Sequence, residues 1–264
     1  MGECLRYMQI FVISLDRSLE RRKSIMARLK GLGLEAEVFR GVDGYTLSAR
    51  EQFYRGRVRR LLYGKDMTAG EIGCARSHVE LYAEIVRRQL PSALVLEDDA
   101  ILTDDLGAML TELQKVSGKW DLVRFLGKAK DLKRMRPVLD LGDGRALTRI
   151  YGTPGGAYGY VVNLRAAERL ARCGSMTWMP IDTLQGQVWW HRLRVRALVP
   201  PPVLPDDSAP STIGEERFSK RYALTGWEKA LFPFTRYAFK VFDAAAKQGT
   251  YWIGVWKDKI DRRS

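Results

Sequence analysis

The chain has 264 residues, 46% hydrophobic and 28% charged, with 44 Lys and Arg against 31 Asp and Glu for a net charge of +13. At this length folding buries roughly three-quarters of the unfolded chain's surface, which excludes intrinsic disorder, collagen-like repeats and a disulfide scaffold. The basic excess bears on partners: nucleic acid, an anionic membrane face or phosphorylated substrates.

Cys4, Cys74 and Cys173 are odd in number, far apart and without a C-x-x-C pair, so a reduced compartment is expected. The first apolar run, Met8 to Leu15, is too short to span a bilayer, has no small-residue cleavage site and meets Asp16 and Arg17. Met1-Gly2 is followed at position 6 by Arg where a myristoylation signal wants Ser or Thr. A protein without signal peptide, transmembrane helix or lipid anchor is expected, with a cytoplasmic location.

In chain order, Gln9 to Ser14 is an apolar run suited to a strand buried on both faces. Ser18 to Leu32 changes to helical spacing, with Gly31 and Gly33 as stop residues. Glu35 to Phe39 reads as a second strand, followed by the turn Gly41-Val42-Asp43-Gly44. Strand, helix, strand predicts a βαβ start and a parallel α/β sheet. Thr68 to Glu71 fits a capping box. Behind it Ile72, Ala75, Val79, Tyr82, Val86 and Leu90 recur at helical steps until Pro91. Ala93 to Leu96 and Asp121 to Leu126 read as strands. Irregular or hairpin structure is expected from Arg134 to Ile150, because Gly142-Asp143-Gly144 signals a tight turn. A strand at Tyr160 to Val162, helices near Arg165 to Arg172 and from Asp182, and a strand at Arg194 to Val199 follow. Pro200-Pro201-Pro202 is expected to break regular structure and mark a boundary.

Glu97-Asp98-Asp99, straight after an apolar strand, is the most informative feature. Three adjacent carboxylates repel one another unless solvent or a cation compensates, and the carboxyl end of a sheet strand is where α/β proteins bind ligands. Positions i and i+2 of a strand share a face, so Glu97 and Asp99 can reach one hard ion, Mg²⁺ or Mn²⁺ carrying a diphosphate. A solvated acidic loop or a helix N-cap is the plainer alternative for the triplet alone. Asp16-Arg17 and then Arg21 and Arg22, at the end of the first strand and on the following helix, suit a diphosphate, or are simply a solvated basic face. Glu71, Cys74 and His78 share one helix edge; the mixed set fits no common zinc pattern, and a structural or substrate-positioning role is preferred.

Met67-Thr-Ala-Gly-Glu-Ile-Gly-Cys-Ala-Arg-Ser-His78, followed by Leu94-Val-Leu-Glu-Asp-Asp99, resembles the signature of glycosyltransferase family 25, which contains lipooligosaccharide and collagen galactosyltransferases. Val12 to Arg22, Gly41 to Gly44, Gly155 to Tyr160, Met179 to Asp182, Pro200 to Val203 and Ser211 to Ile213 agree with it, so the resemblance covers roughly residues 8 to 214. Ser14 stands where Asn is more usual, Asp131 to Arg149 matches nothing, and the tail beyond Glu215 lies outside.

The resemblance implies a GT-A-like nucleotide-sugar-binding fold with a mainly parallel sheet over residues 1–214, and a hexose, most often galactose from UDP-galactose, transferred with inversion. It implies Mn²⁺ or Mg²⁺ at Glu97 and Asp99, stabilising the UDP leaving group. Ser14, Asp16, Arg17, Arg22, Asp43, Ser77 and Asp98 become donor-binding positions, Arg17 and Arg22 on the diphosphate and Asp98 toward the ribose or sugar. Asp182 is the candidate general base, with an N-cap carboxylate as its alternative, and His78 is the second choice. His191 reads more readily as structural, and Trp189 and Trp190 as core than as a sugar platform. The implied acceptor is a lipid-linked, lipopolysaccharide-type glycan.

Residues 215–264 form a separate segment with 11 Lys or Arg, 6 Asp or Glu and 11 of the 27 aromatics. Leu231, Phe234, Ala238, Val241, Phe242 and Ala245 recur at helical steps. A basic aromatic helix lying on an anionic membrane surface is one reading, and a helix packed on the domain the other. The enzyme is therefore expected to be peripheral on the inner face of the cytoplasmic membrane. A nucleic-acid-binding protein or metal-dependent nuclease is the alternative from another class, but no binding motif supports it and no nucleic-acid partner is expected. A silent glycan-binding relative is the third, and the intact triplet speaks against it.

Overall fold

The computed structural model describes residues 8–47, 53–126, 135–206 and 224–260. Its strands are β1 (Gln9–Ser14), β2 (Glu37–Arg40), β3 (Ser92–Glu97), β4 (Ala100–Leu102), β5 (Leu122–Phe125), β6 (Arg136–Gly142), β7 (Arg145–Arg149), β8 (Gly159–Asn163), β9 (Val195–Val199) and β10 (Val203–Pro205). Its helices are α1 (Leu19–Gly31), α2 (Gly56–Tyr63), α3 (Ala69–Arg87), α4 (Leu106–Lys115), α5 (Leu164–Gly174), α6 (Ile181–Gly186), α7 (Val188–His191) and α8 (Trp227–Ile260).

Eight strands form one sheet in the order β2-β1-β3-β8-β5-β9-β7-β6. β1 lies parallel to both β2 and β3, as the βαβ start requires. β8 runs against its neighbours β3 and β5, and β7 against β9 and β6. Six strands therefore share one direction and two are reversed, a mixed α/β sheet that is mostly parallel by direction. β4 and β10 pair separately as an antiparallel ribbon.

Both faces of the sheet are covered, and alternation along the strands assigns each side chain its layer. Phe11 and Ile13 of β1, with Val95 of β3, pack against Ile72 and Tyr82 of α3 and Leu170 of α5. Ile10, Val12, Leu94 and Leu96 pack on the other face against Ile25 and Leu29 of α1 and Leu106 and Leu113 of α4.

The start of α3 carries the full capping box: Glu71 N–H donates to Thr68 Oγ1 at 3.1 Å, and Thr68 N–H to Glu71 Oε2 at 2.9 Å. This fixes Glu71 as a cap and removes it from the helix edge that Cys74 and His78 share. The hairpin between β6 and β7 turns through Asp143 and Gly144 at φ 50° and 71°, the left-handed pair that a two-residue hairpin turn needs. Pro200-Pro201-Pro202 does not end the domain, since β10 follows at once and pins β4 beside the carboxylate triplet. Cys4, Arg50, Asp131 to Arg134, Ser211 to Ile213, Arg262 and Arg263 lie outside the described residues.

The C-terminal segment contains one helix of 34 residues with Pro233 near its start. One face docks on the domain. Glu228 pairs with Arg60 at 2.9 Å, and Asp258 pairs with Arg149 at 2.6 Å and Arg196 at 2.8 Å. Phe239 meets Tyr63 and Trp178 edge-on, and Phe242 meets Trp189. Trp189 serves this interface, donating its indole N–H to Asp243 at 3.1 Å, while Trp190 packs beside Trp178 against the core. The apolar stripe read from Leu231 onward faces solvent, with Phe234 74% exposed; the docked face is instead Phe232, Tyr251 and Val255. Among the described residues no helix is long and apolar enough to cross a membrane.

Candidate active site

A cleft of about 610 Å³, counting its open mouth, lies over the carboxyl ends of β1 and β3. Its floor is the register that sets Ile13 opposite Glu97. The turn Gly41–Gly44, the loop entering α1 and the first turns of α3 form its sides.

Two glycines bring the turn and the helix into backbone contact. A Cβ on Gly73 would lie 2.5 Å from Gly44 N and 2.6 Å from Val42 O. Val42 N–H donates to Ser77 Oγ at 2.7 Å, and that hydroxyl donates to Gly73 O at 2.8 Å. Ser77 is thus a strut that holds Asp43 at the cleft, where Asp43 is ion-paired with Arg17.

β3 ends at Glu97, and Asp98 and Asp99 form the turn into β4. The strand alternation expected to align Glu97 with Asp99 therefore does not apply; the turn brings all three carboxylates to the cleft instead. Asp98 accepts from Ser14 Oγ at 2.7 Å. Arg21 stands 3.7 Å from Asp99. Burial, reinforced by the charges of Glu97 and Asp98, lifts the Asp99 carboxyl to about 6, and burial also raises Asp98.

Glu97 is approached from beneath by a buried chain. Gln185 Nε2 donates to the Tyr82 hydroxyl at 3.0 Å, and the Tyr82 and Tyr160 hydroxyls bond one another. Tyr160 Oη lies 2.7 Å from His78 Nδ1, and His78 Nε2 lies 3.2 Å from Glu97 Oε1. An ionised Glu97 accepts, so the assigned tautomer carries its proton on Nε2 and Tyr160 donates to Nδ1. Every donor then points toward Glu97. Burial keeps the two phenols neutral, pushing Tyr82 up to about 12 and raising Tyr160 well above the usual phenol range. Cys74 Sγ also lies 3.8 Å from Glu97 Oε1, and burial pushes that thiol well up. Cys74, His78 and Glu97 offer ligand atoms within 4.8 Å of one another. The motif spacing placed His78 on this helix; its bond to Glu97 depends on β3 lying beneath, which no local pattern shows.

Of the expected donor-binding residues, Ser14, Arg17, Asp43, Ser77 and Asp98 line the cleft, together with His78, Glu97 and Asp99. Arg22 lies behind the lining, donating to Leu15 O at 2.9 Å and Ser14 Oγ at 3.3 Å, so it braces the loop. Asp16 turns outward to Arg40 at 2.6 Å. Asp182 sits in the first turn of α6 and is not its N-cap, which is Pro180. It accepts from Gly156 N–H at 3.1 Å and Thr183 N–H at 2.6 Å, holding the glycine-rich loop that precedes β8. That loop adjoins the triplet, since Glu97 N–H donates to Tyr158 O at 2.9 Å. His191 is structural: buried, it takes Leu193 N–H on Nδ1 at 3.1 Å and faces Gln185 O, and burial depresses its imidazole to about 4.

The family model described as glycosyltransferase family 25 (LPS biosynthesis protein) matches residues 8–185. Procollagen galactosyltransferase 1 of Danio rerio is 30% identical over 190 residues, 66% of this chain and 30% of that protein. A glycosyltransferase 25 family member of Anopheles gambiae is 29% identical over 208 residues, 72% of this chain and 34% of its own length. The inactive glycosyltransferase 25 family member 3 of Mus musculus is 30% identical over 174 residues, 61% of this chain and 28% of its own length. The chain thus spans about a third of the length of the curated relatives it matches. Among solved structures, A197 from STIV gives a TM-score of 0.39 at 12% identity, over 75% of this chain and 85% of that one.

Proposed function

The chain belongs to glycosyltransferase family 25, and from that premise we propose that it is a hexosyltransferase with an inverting mechanism, taking galactose from UDP-galactose. The observation that supports this best is the carboxylate triplet at the end of β3, gathered in one cleft with Arg17, Asp43 and Ser14. The donor set fits a hard divalent cation: three carboxylates meet there, and one of them is held near pH 6 by burial and by the other two. Glu97 and Asp99 would hold Mn²⁺ or Mg²⁺, which when bound supplies positive charge to the departing diphosphate.

The remaining roles fall to this chain's own side chains. Arg17 offers its guanidinium to the diphosphate once it exchanges Asp43 for the ligand. Asp98, fixed by Ser14, presents an oxygen to the donor's hydroxyls. His78 has both ring nitrogens engaged, which suits it to orient Glu97; the general base in this reading is Asp182, which stands outside the cleft lining and holds the Gly156 loop that adjoins the triplet. In this reading the acceptor is a lipid-linked, lipopolysaccharide-type saccharide, and the enzyme works peripherally at the inner face of the cytoplasmic membrane.

The test is UDP release from a panel of UDP-sugars with Mn²⁺, with and without saccharide acceptors. Release with UDP-galactose, abolished in Asp99→Ala while the fold is retained, is the expected result. No turnover with any donor, together with no Mn²⁺-dependent UDP binding, would refute the reading in favour of an inactive glycan-binding relative.

A further inference from the structure

We propose that the outer face of α8 docks the protein on an anionic bilayer, lying in the plane of the interface. The inference deepens the reading of a lipid-linked acceptor, and rests on it for its purpose. Its physical basis is independent.

Ten of the fourteen large apolar side chains exposed among the described residues belong to α8. Trp227, Leu231, Phe234, Val241, Trp252 and Trp256 follow one another at helical steps and are 44–74% exposed. Over the 30 residues from Trp227 to Trp256 the stripe runs roughly 44 Å along the helix. That length exceeds what solvated apolar residues scattered over a surface present.

Charge selects the occupant. The three acidic residues of α8 all turn inward, Glu228 to Arg60, Asp243 to the Trp189 indole N–H and Asp258 to Arg149 and Arg196. Lys240, Lys257 and Lys259 are exposed. At the two ends of the stripe, exposed arginines from the domain lie over its tryptophans, Arg57 over Trp227 at 5.8 Å and Arg136 over Trp252 at 5.4 Å. The rim is therefore cationic at both ends. A second copy laid on the stripe, parallel or antiparallel, would set cation against cation. A bilayer with anionic headgroups accepts the aromatic stripe and meets the cations with phosphate. No described helix can cross the membrane, so the contact is interfacial.

The experiment uses the full chain and vesicles of phosphatidylcholine alone or mixed equally with phosphatidylglycerol. The expected result is flotation with the mixed vesicles only, weakened by salt and at least about tenfold weaker in Trp252→Glu/Trp256→Glu. Turnover of a UDP-sugar on a water-soluble acceptor is unchanged in that variant. Wild-type-like vesicle binding by the variant overturns the proposal. So does sedimentation showing a wild-type dimer that the double substitution dissociates, without vesicle binding. Vesicle binding without any sugar turnover would instead sink the transferase reading and leave this one standing; turnover without vesicle binding does the reverse.

Discussion

Replacing Gly73 by Ala tests whether the cleft is built on backbone contact. In a helix interior with open space, Gly→Ala stabilises by about 1 kcal/mol. Gly249 in α8 meets that condition, since a Cβ there finds nothing within 4 Å. Gly73 does not: the added Cβ would stand 2.5 Å from Gly44 N, 2.6 Å from Val42 O and 2.9 Å from Gly44 Cα. The obstacle is backbone, so the turn must retreat by about 1 Å, at an overpacking penalty of about 1–3 kcal/mol. Retreat also stretches the Val42 N–H bond to Ser77 Oγ, worth about 1 kcal/mol. Against the propensity gain, the balance is a loss of about 1–3 kcal/mol, which lowers Tm by roughly 2–10 °C in a chain of this size. The turn carries Asp43, so a displacement of that size should also reduce turnover by up to about a hundredfold. Thermal unfolding and UDP release on Gly73→Ala and Gly249→Ala decide the matter. Equal stabilisation of both variants would refute the contact.

Other perturbations probe different parts of the same structure. Asp258→Ala strands Arg149 and Arg196, which are 13% and 5% exposed; a loss of about 3–5 kcal/mol in urea unfolding is expected, with faster proteolysis at α8, and an unchanged midpoint would refute the latch. Burial holds His191 at about 4, below its ordinary 6.5, so the native state keeps it neutral while the unfolded chain protonates below 6.5. Its stabilising contribution is complete above pH 6.5 and declines as pH falls toward 4, by about 3 kcal/mol in all; urea midpoints across that range should slope less in His191→Asn, and equal slopes would refute the assignment. Tyr160→Phe removes the donor to His78 Nδ1 and should weaken Mn²⁺-dependent UDP binding about 10–100-fold, whereas binding equal to wild type would make the buried chain a packing device only.

Local signals carried much of the fold. Ile10 to Ile13 is uniformly apolar because both faces of β1 are covered, Thr68 and Glu71 cap one another, and Asp143-Gly144 closes a hairpin. α2 was not legible as a helix. Its Arg59 stacks on Tyr63 at 4.0 Å and Arg60 is spent on Glu228, so this arginine-rich segment is half interface. That interface is completed by α8, where Thr235 Oγ1 donates to Leu61 O at 2.6 Å across 174 residues of chain. The site divides in the same way. Glu97, Asp98 and Asp99 announce themselves by adjacency, while the bracing role of Arg22 and the strut role of Ser77 follow from partners on other elements.

The reversal of β8 has a metric consequence. Because β8 runs against β3, with Gly159 opposite Leu96, the segment that begins β8 emerges beside the segments that end β3, β1 and β2. The turn bearing Asp43, the loop bearing Arg17, the carboxylate triplet and the loop gripped by Asp182 leave four neighbouring strands of one hydrogen-bonded ladder. Three inter-strand steps of about 4.8 Å separate the first from the last, roughly 14 Å in all. A ligand that touches both outer segments must have that span. The cleft thus measures its occupant against a backbone ruler, graduated by the spacing of the strands beneath it.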